Sequence, residues 1–178
     1  MGVSENMKVF INPGHDCAKD SGAINPSTGD RECDVVRKAG RLLANYLMNA
    51  GCEVKVLQDD DLNLVCNESN AFNADVFVSL HCNAYNTQAK GTETWYKTMS
   101  GRQLANCIQS QIIRSINTVD RGVKIRDDLW VLNGTDATAV LVEMAFIDNE
   151  EDHEILVNDL DTIVRAIARG ITDYAGGI

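Results

Sequence analysis

No stretch of the 178 residues approaches the roughly 18 consecutive apolar residues of a membrane span, and the N-terminus lacks the charged n-region and apolar h-region of a secretory leader. A membrane span and a signal peptide are therefore not expected. Basic residues are in deficit, with 16 Lys plus Arg against 26 Asp plus Glu and a formal net charge of −10. A field of that sign opposes approach to nucleic acid or to an anionic membrane surface, so neither is expected as a partner. Internal repeats, low-complexity tracts and linkers are missing too, which leaves a chain of this length as one domain. No CxxC occurs among the six cysteines at positions 17, 33, 52, 66, 82 and 107, which excludes a zinc ribbon and a thioredoxin-type motif. Several of them lie inside apolar stretches, as small buried hydrophobes do, so free thiols are expected.

What is present is an ordinary globular composition, 44 % hydrophobic and 24 % charged, in a chain long enough to bury a core. Met1 to Asn6 carry no periodicity and are expected to be a leader or remnant, with the domain running over residues 7–178. Lys8 to Asn12 reads as a strand broken by Pro13-Gly14. From Arg31 to Ala50, apolar residues at 35, 39, 42, 43, 46, 47 and 50 recur at helical spacing, with Asp30 as the expected N-cap and Gly51 as the stop. Glu53 to Leu57, Val76 to Leu80, Gly91 to Tyr96 and Ala139 to Val142 read as further strands. Helices are expected over 61–74, 101–116, 150–157 and 159–174. This alternation predicts an α/β fold, a single domain with a mostly parallel twisted sheet flanked by helices on both faces.

In such a sheet the functional crevice lies beyond the carboxyl ends of the strands. His15 follows the first strand, His81 directly follows VFVSL, and Glu143 directly follows AVLV. Glu32 lies 3, 7 and 11 residues before Val35, Ala39 and Leu43, which puts it on the buried stripe of the long helix. A carboxylate there needs a cation or a metal as partner, because an unpaired buried charge is costly. Two histidines and a glutamate, with a second carboxylate beside them, form a recurring catalytic zinc set. The spacings of 17, 49 and 62 residues match no short signature such as HExxH, so the residues alone leave open that each is a satisfied core or rim group. Asn83 stands where it can orient the site or satisfy its own loop. Trp95 and Trp130 fit a substrate groove or the core, with core packing expected for at least one. His153 is expected to be a solvated helix residue, and Cys82 is expected to point away from His81 by strand alternation.

From Met7 onward the chain resembles the zinc-dependent N-acetylmuramoyl-L-alanine amidases of type 3, which cut bacterial peptidoglycan. The resemblance rests on six segments in order: INPGHD around His15, GDREC around Glu32, VSLHCNA around His81, GTETWY, RGVK at 121–124, and LWVLNGTDATAVLVEMAFIDNEED around Glu143. It implies Zn2+ held by His15, Glu32 and His81, with Glu143 as the catalytic carboxylate, and peptidoglycan as the substrate. Some members carry a helix after the second histidine motif that blocks the metal until a partner removes it. Only nine residues separate His81 from Gly91 here, so a site open without an activator protein is expected. No wall-binding repeats accompany the domain, and action on the cell wall is expected to follow secretion through a segment outside this sequence or release by lysis. The rival readings are a non-cutting peptidoglycan binder of the same fold and another zinc peptidase or deacetylase.

Overall fold

The computed structural model of the chain describes residues 7–177, so the expectation for Met1 to Asn6 lies outside the described residues. Six strands form one sheet: β1 (Lys8–Pro13), β2 (Glu53–Val56), β3 (Val76–Asn83), β4 (Thr92–Tyr96), β5 (Asp120–Ile125) and β6 (Thr138–Phe146). Six helices connect and cover them: α1 (Glu32–Asn49), α2 (Leu62–Phe72), α3 (Met99–Ser115), α4 (Trp130–Gly134), α5 (Glu150–Asn158) and α6 (Leu160–Ala175). The strand order is β2-β1-β3-β6-β4-β5. Neighbours run parallel except β4 against β6, so the mostly parallel sheet expected from the sequence is present with one antiparallel seam.

Strand alternation divides the core into two unequal layers. Val9, Ile11, Val78, Leu80, Val140 and Val142 pack with Leu43, Leu47, Ile108, Ile112, Ile163 and Ile167 of α1, α3 and α6 in the larger. Phe10, Phe77 and Leu141 project from the other face onto Val65 and Cys66 of α2 and Val131 and Leu132 of α4. That second face carries only an 11-residue and a 5-residue helix, and the sheet is left uncovered beside them. His81 and Glu143 alternate onto this thinly covered face, whereas Cys82 points into the larger core, as expected.

Four local expectations are corrected. Arg31, not Asp30, takes the N-cap position of α1, and no side chain caps it. Carbonyls of the preceding loop do the capping, Ala23 accepting from the Glu32 N–H at 2.8 Å and Ser21 from Cys33 at 3.0 Å. Asp30 instead faces His153, whose Nε2 lies 2.7 Å from its carboxylate. His153 is consequently largely covered rather than solvated, with 11 % of its side chain exposed, and it stands apart from His15 and His81. Strands β3 and β6 also run past His81 and Glu143, because their own ladder resumes after a register shift with Asn83 opposite Phe146. The fourth correction concerns the thiols. Cys17 and Cys33 form a disulfide, with Cα atoms 5.4 Å apart, while Cys52, Cys66 and Cys82 are buried thiols.

Candidate active site

The chain turns sharply after β1. His15 occupies the left-handed region at φ 61°, uncommon for a residue with a Cβ, and this reversal brings its ring back over the sheet edge. The loop then returns to α1, bringing Glu32 beneath it, and the Cys17–Cys33 disulfide ties the two flanks together. A bond closing a loop of this size contributes about 3 kcal/mol by restricting the unfolded chain.

Three of the residues singled out in the sequence converge. His15 Nε2 lies 3.2 Å from one carboxylate oxygen of Glu32, and His81 Nδ1 lies 2.9 Å from the other. The three donor atoms fall within 4.8 Å of one another, a group that could hold a metal ion. Behind His15, Asp20 Oδ2 approaches Nδ1 at 2.6 Å, which fixes the ring and leaves Nε2 directed at the cluster. Glu32 is 4 % exposed, and its carboxylate also accepts from the backbone N–H groups of Ala23 and Cys82 at 2.9 and 3.0 Å.

Glu143, the fourth residue, lies beside His81 in the parallel register of β3 and β6. Its Oε2 is buried and has no hydrogen-bond partner among the described residues. Burial, then the charges of Glu32 and Glu93, push the Glu143 carboxyl well above the usual carboxylate range. An orphaned buried carboxyl oxygen beside a convergent donor set suits a group that awaits a cation, a water or a substrate proton. The donor types, two imidazoles and a carboxylate, suit zinc.

Glu32 shows the opposite balance. Burial works to raise its pKa, but hydrogen bonds from His15 and then His81 outweigh it and hold the carboxyl well below its ordinary range. The Glu32 hydrogen bond, against the opposing effect of burial, raises His15 from 6.5 to about 9. The proton on His15 therefore stabilises the folded chain in full below pH 6.5, and that contribution is lost as pH rises through about 9. Chelator-treated protein is expected to lose thermal stability over that interval. Saturating zinc should remove the trend, because ligation requires neutral imidazole. Melting temperatures across pH 6–10, with and without zinc, check this, and an equal decline in both would contradict it.

A cleft of about 490 Å³ opens in front of the histidines, lined by Asn12, Asp60, Leu62 and Trp130 among others. Trp130 is 55 % exposed there, while Trp95 packs partly on the smaller core, as expected for at least one of the two. Asn83 donates to Glu93 at 3.3 Å and accepts from the Ala84 N–H, orienting the site's rim and satisfying its loop at once. Two site residues escaped the sequence reading. Asp20 sits in a polar loop without periodicity, and its only signal was a carboxylate five residues after His15. Glu93 is 3 % exposed on the same face as Glu143, and its position within GTETWY, alternating with Trp95, could have revealed it.

The chain is similar to known proteins in both sequence and fold. The sequence profile of the family described as N-acetylmuramoyl-L-alanine amidase matches residues 9–173. Protein YqiI of Bacillus subtilis is 34 % identical over 180 residues, covering 96 % of this chain and 85 % of that protein. The N-acetylmuramoyl-L-alanine amidase LytC of Bacillus subtilis is 32 % identical over 180 residues, covering 93 % of this chain and 35 % of that protein. Among solved structures, N-acetylmuramoyl-L-alanine amidase AmiC2 of Nostoc punctiforme superposes with a TM-score of 0.88 at 30 % identity, covering 94 % of this chain and 96 % of that one.

Proposed function

Since the chain belongs to the N-acetylmuramoyl-L-alanine amidase family, we propose that it hydrolyses the amide joining N-acetylmuramic acid to L-alanine in bacterial peptidoglycan, with zinc held by His15, Glu32 and His81. The observation that carries this reading is the convergence of those three donors beside the unpartnered oxygen of Glu143. A divalent cation bound by His15, Glu32 and His81 would supply Lewis acidity for the scissile carbonyl and for a water molecule. Glu143 accepts the proton of the attacking water and then delivers it to the alanine nitrogen as the C–N bond breaks, so that the peptide leaves as a neutral amine. A carboxyl whose pKa is raised by burial suits both halves of that exchange. Asp20 keeps the His15 ring in place, and Glu32 answers both histidines at once.

We also propose that the segment after His81 leaves the site open. The segment after His81 folds back onto the start of α5, with the Tyr85 and Thr87 N–H groups donating to Asp148 and the Asn149 side chain donating to Thr87. None of its residues lines the cleft with His15 and His81. The reaction takes place at the cell wall, whether the enzyme arrives by secretion or by lysis. Only the reaction is transferred from LytC, of which this chain spans about a third.

Digestion of purified peptidoglycan by the zinc-loaded protein tests the reading, with the products identified by mass spectrometry. Free stem peptides beginning with L-alanine, absent after chelation, are the expected result. Undigested muropeptides would instead indicate a binder, and a different broken bond would indicate another metallohydrolase.

A further inference from the structure

The sheet face that carries the candidate site continues past Glu143. His81, Glu143 and Glu93 stand side by side across β3, β6 and β4 in register. Glu93 is saturated with donors. Arg121 Nε reaches its Oε2 at 2.9 Å and Lys124 Nζ bonds the same oxygen, while Trp95 Nε1 reaches Oε1 at 3.0 Å. Arg121 is further braced by stacking over the Phe146 ring at 4.9 Å. These two cations face one carboxylate. Nearby, Arg126 pairs with Asp128 and Lys90 with Glu151, while the Asp120 carboxylate accepts from the neutral Gln109 amide of α3 and keeps its charge. Along this border four cations thus balance four carboxylates, on a chain whose net charge is −10.

Both cations remain accessible, with 33 % of the Arg121 and 43 % of the Lys124 side chain exposed. Arg121 also lines a groove of about 330 Å³ with Asn83, Tyr85, Glu93, Trp95 and Phe146. A guanidinium carries five N–H donors, and the contacts to Glu93 and the Lys90 carbonyl use only its Nε and one terminal nitrogen. The remainder forms a fork suited to a carboxylate.

The chemistry proposed above sets the direction in which a substrate crosses this face. Glu143 must reach the departing nitrogen, so the amine side of the scissile bond lies toward Glu143 and hence toward β4 and β5. The acyl side, bearing the sugar, then lies over the cleft with exposed Trp130. The Arg121 and Lys124 side chains reach back from β5 to Glu93 on β4, one strand spacing of about 5 Å from β6, and an extended peptide covers that in about two residues.

We propose that Arg121 and Lys124 form a carboxylate-binding subsite for the departing stem peptide, recognising the free carboxylate of the acidic residue that follows L-alanine. The direction of the peptide rests on the amidase reading, whereas the subsite is testable without any hydrolysis. Calorimetric titration of the zinc-loaded protein with two synthetic peptides provides the test. One is L-Ala-γ-D-Glu-L-Lys with an amidated C-terminus, and the other is its isoglutamine counterpart, so a single carboxylate distinguishes them.

The carboxylate peptide is expected to bind about tenfold or more tightly, as a charge-assisted pair would give. Arg121→Gln and Lys124→Gln should each shrink that difference. Arg121→Lys should retain part of it, and Arg165→Gln, on an exposed ion pair of α6, should leave it unchanged. Lys124→Gln leaves Arg121 on Glu93, so it remains informative if Arg121→Gln fails to fold. Equal binding of the two peptides, or binding of neither, overturns the subsite. The peptidoglycan digestion separately decides the amidase reading, and in turnover assays the Arg121 variants should raise KM for the carboxylate substrate more than they lower kcat.

Discussion

Glu143→Gln is expected to lower kcat by about 10³-fold, within the range contributed by a positioned general acid–base group, while metal content and fold stay intact. The amide is nearly isosteric with the carboxyl but has no oxygen that can take up a proton from water and return it to an amine. Nothing in the surrounding packing needs the negative charge, since Glu143 Oε2 has no partner among the described residues. Burial and the charges of Glu32 and Glu93 oppose ionisation there, so a neutral side chain relieves an unfavourable arrangement. The variant should therefore melt at the same temperature as the parent or higher, which is the usual signature of a group retained for function at the expense of stability. Kinetics on a purified muropeptide, with bound zinc and melting temperature measured on the same sample, check all three parts. Full turnover would remove Glu143 from the mechanism.

The second large effect is expected at a residue with no side chain. A Cβ placed on Gly14 would lie 2.3 Å from Cε1, 2.6 Å from Nε2 and 2.8 Å from Nδ1 of His81, well within van der Waals overlap of the imidazole ring. His81 cannot yield easily, because its Nδ1 is engaged with Glu32, so the ring must tilt out of the donor cluster. Gly14→Ala should weaken zinc binding by about 10- to 100-fold, comparable with loss of a group that orients a ligand, and reduce turnover at least in proportion. Gly22→Ala should act on the opposite wall, where a Cβ would meet Glu32 Oε2 and the His15 ring at 2.6 Å from a backbone with φ of 62°. Competition for zinc with a chromophoric chelator measures both variants. Wild-type affinity in Gly14→Ala would show that the ring can move without leaving the cluster.

The residues that the sequence revealed share a property that those it concealed lack. His15, His81 and Glu143 each follow a short apolar run, so an argument about strand ends finds them. Glu32 is found because a carboxylate on the apolar stripe of an 18-residue helix contradicts its surroundings. Asp20 and the Cys17–Cys33 bond depend on how a loop without periodicity folds back, which neither propensity nor spacing encodes. The strand Asp120–Ile125 lies at the sheet edge with no fully buried position, so the alternation that marks a half-buried strand is absent from it. The five-residue helix at Trp130 is too short to show a helical period. The antiparallel seam, finally, is a choice of partner, and the apolar pattern of GTETWY is the same in either direction.

Vectorial synthesis meets this topology at an awkward point. The strand carrying Glu143 is the last of the six to be made, yet it occupies the middle of the sheet, between Val76–Asn83 and Thr92–Tyr96. Until residues 138–146 emerge, the earlier strands form two separate groups, each with a bare edge of unpaired backbone. At translation speeds of about 5–20 residues per second, that interval lasts on the order of several seconds. Its closing pairings, such as Val76 with Thr138, span 62 residues and belong to the slow, non-local class. The segment that completes the proposed catalytic apparatus is thus also the keystone of the sheet. A nascent chain that stalls before it holds all three proposed metal ligands and two sticky edges, a liability for a chaperone to cover.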